Sequence, residues 1–129
     1  MTDDDVKDYF LSKPEAWLDF PFGDDVYVFK VCKKMFGTLG WSSEVARINL
    51  KCDPQEALML RDVFTAVVPG YHMNKTHWNT VIIDNSLPRG EIERMIDNSY
   101  ALVAKSLKRA ERLALEVKFG RQALYGTIT

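Results

Sequence analysis

Residues 45–56 constrain the fold of this chain more tightly than any other stretch. Val45-Ala46-Arg47-Ile48-Asn49-Leu50-Lys51-Cys52 alternates without a break, sending Ala46, Ile48, Leu50 and Cys52 one way and Arg47, Asn49 and Lys51 the other. That pattern describes a strand with one dry face and one wet, basic face. Directly after it, Asp53-Pro54-Gln55-Glu56 joins an N-cap carboxylate, a proline at the first helical position and an acid three residues beyond the cap. The strand therefore hands over to a helix, which runs to about Thr65 with Ala57, Leu60 and Phe64 on its buried side.

Other elements follow from the same reasoning. Thr2 offers a hydroxyl cap ahead of Asp3, Asp4 and Asp5, which complement the helix dipole, and Pro14 closes the resulting helix at about residue 12. Residues 15–25 read as a loop whose Trp17, Leu18, Phe20 and Phe22 lie across the core as a lid. Two β-rich runs, 26–31 and 35–41, form a hairpin across Cys32-Lys33-Lys34. A short extended segment follows Pro69-Gly70, and residues 77–84 alternate as a strand with Trp78, Thr80 and Ile82 on one face, ending in the turn Asp84-Asn85-Ser86. Pro88 opens a long helix carrying Ile92, Met95, Ile96, Ser99, Tyr100, Val103 and Leu107 at helical spacing. Its pattern persists to about Lys118, with Lys105, Lys108, Arg109 and Arg112 opposite Leu107, Ala110, Ala114 and Val117, until Gly120 stops it. The order is helix, three strands, helix, two strands, helix with a helical extension. Residues 1–120 make one domain, and residues 121–129 are a tail that is frayed, adds an edge strand or docks on a partner.

Size agrees: 129 residues of which 47% are hydrophobic suit one core that buries roughly two-thirds of the unfolded surface. No apolar run approaches the roughly 18 residues of a membrane span, and the acidic N-terminus lacks the features of a secretory signal, so the expectation is a soluble, cytoplasmic protein without a membrane partner. Cys32 and Cys52 fit free thiols better than a metal knuckle or disulfide framework. The net charge of −1 is unevenly spread. Residues 1–25 hold eight acids against Lys7 and Lys13, −6 in all, leaving +5 on the remainder. Such asymmetry marks either an interaction surface or a solvated acidic helix.

Several short motifs recur in an ordered set: Pro21-Phe22-Gly23, Val28-Phe29-Lys30-Val31, Lys34-Met35-Phe36, Asn49-Leu50-Lys51-Cys52, Tyr71-His72-Met73-Asn74-Lys75, His77-Trp78-Asn79-Thr80, Ser86-Leu87-Pro88 and Ile96-Asp97-Asn98-Ser99-Tyr100. In this order and spacing they resemble the YjbR/MmcQ family, over nearly everything from residue 5 to 104. The resemblance implies an α+β fold of two layers, an antiparallel sheet of about five strands covered on one face by helices, similar to secretion chaperones. It also implies DNA binding of a "double wing" kind, an analogy drawn at the level of fold. Two departures stand out: Cys32-Lys33 replaces the glycine common before Lys34, and the tail beyond residue 104 is longer and more basic.

Arg47, Asn49 and Lys51 project from the wet face, and His77 and Asn79 on an adjacent strand add donors suited to phosphates. Lys75 and His72 lie at the edge of the same face, and the stripe Lys105, Lys108, Arg109 and Arg112 is a second basic candidate. Asn74 fits a turn, and Trp78 fits a core or rim aromatic better than a base-stacking platform. His72, His77 and Asp84 resemble a metal set only until alternation separates His77 from Asp84. No nucleophile elbow or glycine-rich phosphate loop is present, and capping explains Asp53 and Glu56. The expectation is a non-enzymatic DNA-binding protein without metal or cofactor. The competing expectation is a protein-interaction module, a homodimer included, or a small-ligand binder with an apolar pocket beneath the aromatic residues at 17–29.

Overall fold

In the computed structural model, which describes residues 1–70 and 73–126, the chain runs α1 (Asp3–Leu11), β1 (Ala16–Asp19), β2 (Tyr27–Val31), β3 (Lys34–Ser42), β4 (Val45–Lys51), α2 (Pro54–Val63), β5 (Val67–Pro69), β6 (Trp78–Ile82), α3 (Arg89–Lys105), α4 (Arg109–Phe119) and α5 (Arg121–Tyr125). The strands form one antiparallel sheet in the order β1-β2-β3-β4-β6-β5. Both side-chain helix caps read from the sequence are realised. Thr2 and Asp5 form a reciprocal capping box, and the Asp53 carboxylate accepts from the amides of Gln55 and Glu56.

Cross-strand partners share a face, so the β4 alternation sorts the whole sheet. Ala46, Ile48 and Leu50 are buried with Leu39 and Val81 under the helices. One irregularity keeps β3 in phase with that core. Phe29 pairs with Gly37 and Lys30 with Met35, leaving Phe36 as the extra residue of a bulge that turns Phe36 and Leu39 to the same side. The Phe10 ring of α1 stacks on Phe29 at 4.2 Å and lies over Gly37, where a Cβ would fall 2.2 Å from its Cε1.

Beyond the last β3–β4 pair, Gly37 with Leu50, α3 satisfies the backbone. Buried Ser99 accepts from the Lys51 amide (2.9 Å) and donates to the Phe36 carbonyl (2.6 Å), joining β3 to β4. Its neighbours hold α1 in the same way. Asp97 accepts from Tyr9 (2.7 Å) and Lys13 (2.9 Å), and the Tyr100 hydroxyl donates to the Pro14 carbonyl at 2.7 Å.

The two-layer architecture is as expected, with one strand added. Residues 16–19, expected within a lid-like loop, instead extend the sheet as β1 beside β2. The long helix expected from residue 88 to 118 is broken. Ser106 ends α3 with its hydroxyl on the Val103 carbonyl, Lys34 from β3 donates to the Ser106 carbonyl at 2.7 Å, and Leu107 turns into the core. Lys108 is extended (φ −55°, ψ 145°), so α4 restarts with a new phase: Leu115 faces in, while Val117, expected on the apolar side, is 89% exposed. Helix α5 folds back onto α3 and buries Leu124. The tail expectation for residues 127–129 lies outside the described residues.

Candidate functional site: the open face of the sheet

Every described helix that packs on the sheet does so from the side of Ile48 and Leu50, so the opposite face carries no helix among the described residues, although Val28, Thr38 and Thr80 on it are buried. Register assigns that face its side chains. Arg47 stands beside Gly40 and Ile82, Asn49 between Thr38 and Thr80, and Lys51 beside Trp78; farther along, Lys30 stands between Trp17 and Met35, and Val28 between Asp19 and Thr38. Position 79 corrects an expectation. Asn79 pairs with Leu50 and is therefore on the helix side, buried, where it accepts from Arg61 Nε at 2.7 Å.

The face has a sheltered floor and a charged rim. Across the floor, Asn49 Nδ2 donates to Thr38 Oγ1 (3.0 Å) and Thr80 Oγ1 donates to Asn49 Oδ1 (2.5 Å), a polar ladder over three strands with Val28 buried beside it. At the rim, Arg47 and Lys51 are half-buried, and neither side chain makes an ion pair or hydrogen bond among the described residues. Arg47 Nε is buried without a partner, an uncompensated donor of the kind folded proteins rarely keep. Lys30 differs. It binds Asp19 at 2.7 Å, which holds that carboxyl below its ordinary range, and lies 5.4 Å from the Trp17 ring centre.

The remaining sequence candidates separate. Lys75 and His77 occupy the exposed turn that leads into β6, beyond the Lys51 end of β4. Arg61 donates to the Lys75 and Trp78 carbonyls, Lys75 Nζ donates to the Gly70 carbonyl at 3.1 Å, and Asn74 accepts from the Thr76 amide as a turn residue should. Gly70 permits the close approach, since a Cβ there would sit 2.9 Å from the Trp78 carbonyl oxygen. His72 lies outside the described residues. Lys105, Lys108, Arg109 and Arg112 belong to the helix layer, split between the end of α3, the extended Lys108 and the start of α4 rather than one stripe, with Lys105 over the Tyr125 ring. They share no surface with Arg47 and Lys51 because the sheet lies between.

Other chemistries find less support. Among the described residues no group of three or more histidine, cysteine, aspartate and glutamate side chains could hold a metal ion. Both cysteines are free thiols, and burial first of all raises them: Cys52 to about 11, with Glu56 and Asp53 adding to the effect, and Cys32 also through nearby Glu111. Such thiols are protonated and poorly nucleophilic. The aromatic segment packs on itself, with Phe20 edge-on to Tyr27 and Tyr27 edge-on to Trp41. A small pocket between α2, α3, β4 and β6, lined by Leu50, Leu60, Asn79 and Met95, has about 10 Å³, space for about one water.

Lys30, Trp17 and Trp78 were not legible as members of one surface. Alternation places Trp78 on a face, but only the pairing Lys51 with Trp78 shows which face it is. Described helices include none long and apolar enough to cross a membrane.

Comparison with known proteins agrees with this architecture. The YjbR family's sequence model matches residues 11–102. The chain is 34% identical over 102 residues to the Escherichia coli O157:H7 protein named "Uncharacterized protein YbdF", covering 79% of this chain and 84% of that one. It is 30% identical over 115 residues to "Uncharacterized protein YjbR" of Escherichia coli K12, covering 89% and 98%. A crystal structure of a Deinococcus radiodurans protein with a DUF419 domain superposes with a TM-score of 0.81 at 34% identity, over 88% of this chain and 87% of that one.

Proposed function

The chain belongs to the YjbR family, and from that premise we propose that it is a non-enzymatic DNA-binding protein that holds phosphates at the rim of its open sheet face. One observation carries the reading: Arg47 and Lys51 project from the same helix-free face with no ion pair among the described residues, and Arg47 Nε is buried without a partner. A phosphate oxygen would supply the acceptor that this buried donor lacks. The cations of α3 and α4 are left out of the proposed site because they lie in the other layer.

Contacts of this kind are to the backbone, so affinity tracks salt and varies little with sequence. A formal charge of −1 on the whole chain limits the long-range attraction and points to modest affinity. Titration with DNA at several salt concentrations tests the reading. Log affinity is expected to fall linearly with log salt, with Arg47→Ala and Lys51→Ala each lowering the slope by about one and Arg109→Ala leaving it unchanged. No binding at about 50 mM salt would contradict it.

A further inference from the structure

We infer that the open face takes DNA as a single strand, with Trp17 and Trp78 as stacking platforms for bases on either side of the cations. This rests on the DNA-binding reading above and adds the form of the ligand. The register supplies the first argument. Trp17 pairs with Lys30 and Trp78 with Lys51, so one tryptophan stands at each side of the open face with a lysine next to it on the inside. Four strand spacings separate β1 from β6, about 19 Å. That width suits a strand laid across the sheet with more than one base stacked, as in sheets that bind two or three bases of single-stranded RNA.

Accessibility supplies the second argument. Trp17 is 42% exposed although its indole N–H is satisfied by the Cys32 carbonyl at 2.7 Å, so the ring is held in place while a large part of it stays free. Trp78 retains partial exposure at the β5–β6 edge, where it stands opposite Gly70 with Met73 packed beside that glycine. Lys30 is neutralised by Asp19, and Asp24 and Asp25 are exposed just beyond β1. The Trp17 side therefore favours an uncharged base over a phosphate, while Arg47 and Lys51 remain for the backbone.

Duplex geometry supplies the third. A major groove about 12 Å wide admits a helix or a two-stranded ribbon, whereas six strands span about 24 Å. Paired bases would present no free faces to either tryptophan.

The test compares an oligothymidylate of about 12 nucleotides with the same strand annealed to its complement, at low salt, using intrinsic tryptophan fluorescence. The single strand is expected to bind at least about tenfold more tightly and to quench emission, and Trp17→Ala or Trp78→Ala each to weaken it by about tenfold with the salt slope unchanged. Trp41→Ala serves as the control, since Trp41 faces the α1 end of the helix layer, donating to Asp3 at 2.8 Å. Circular dichroism establishes that each variant is folded. Equal or tighter duplex binding, or wild-type affinity in both tryptophan variants, would overturn the inference while leaving DNA binding standing. Failure of both ligands to bind would overturn the DNA-binding reading itself.

Discussion

Ser99 shows how much of this fold hangs on single hydroxyl groups. It is fully buried on α3 and connects two backbone groups just beyond the last β3–β4 pair, the Lys51 amide and the Phe36 carbonyl. Ser99→Ala leaves both unsatisfied at once, so a loss of about 2–3 kcal/mol is expected in urea unfolding, with the denaturant slope unchanged. A loss below about 0.5 kcal/mol would show that water replaces the hydroxyl. Asp97 and Tyr100 do comparable work on α1, which accounts for three residues of the motif Ile96-Asp97-Asn98-Ser99-Tyr100. The motif was legible as a family mark, yet its role was not. Periodicity assigns Ser99 to a buried helix face and cannot name bond partners 48 and 63 residues away.

Among the elements, those with strong local chemistry were readable, and those decided by distant contacts were not. Alternation and the Asp53-Pro54 cap located β4 and α2 because both signals are carried within a few residues. β1 escaped notice because its four residues follow Pro14 and lack clean alternation; pairing with β2 makes them a strand. The break between α3 and α4 contains neither glycine nor proline, and it depends on Lys34 reaching Ser106 from the far side of the chain. Gly37 belongs to this second group. Its bare Cα lets the Phe10 ring settle on the sheet, so Gly37→Ala is expected to cost about 2 kcal/mol or more through displacement of α1. The double variant Gly37→Ala with Phe10→Leu should lose less than the two single losses combined, as determined by thermal or denaturant unfolding. Strict additivity would mean that the two positions do not share the clash.

For the molecule as a whole, a two-layer build explains why a usable surface exists. Six antiparallel strands take all their helical cover on one side, and the chain ends its core there with α5 folded back on α3. The basic nature of the other face was visible in Arg47, Asn49 and Lys51 from alternation alone. Its tryptophans became part of it only once strand pairing was known, and the Lys105–Arg112 stripe left it once α3 was seen to end. The central claim, that the open face meets DNA, is tested most directly by amide and indole chemical shifts of the isotope-labelled protein during titration with a single-stranded oligonucleotide. Shifts are predicted to concentrate at Trp17, Lys30, Arg47, Asn49, Lys51, His77 and Trp78, with α3 and α4 still. Shifts confined to α3 and α4, or none at saturating DNA, would contradict it.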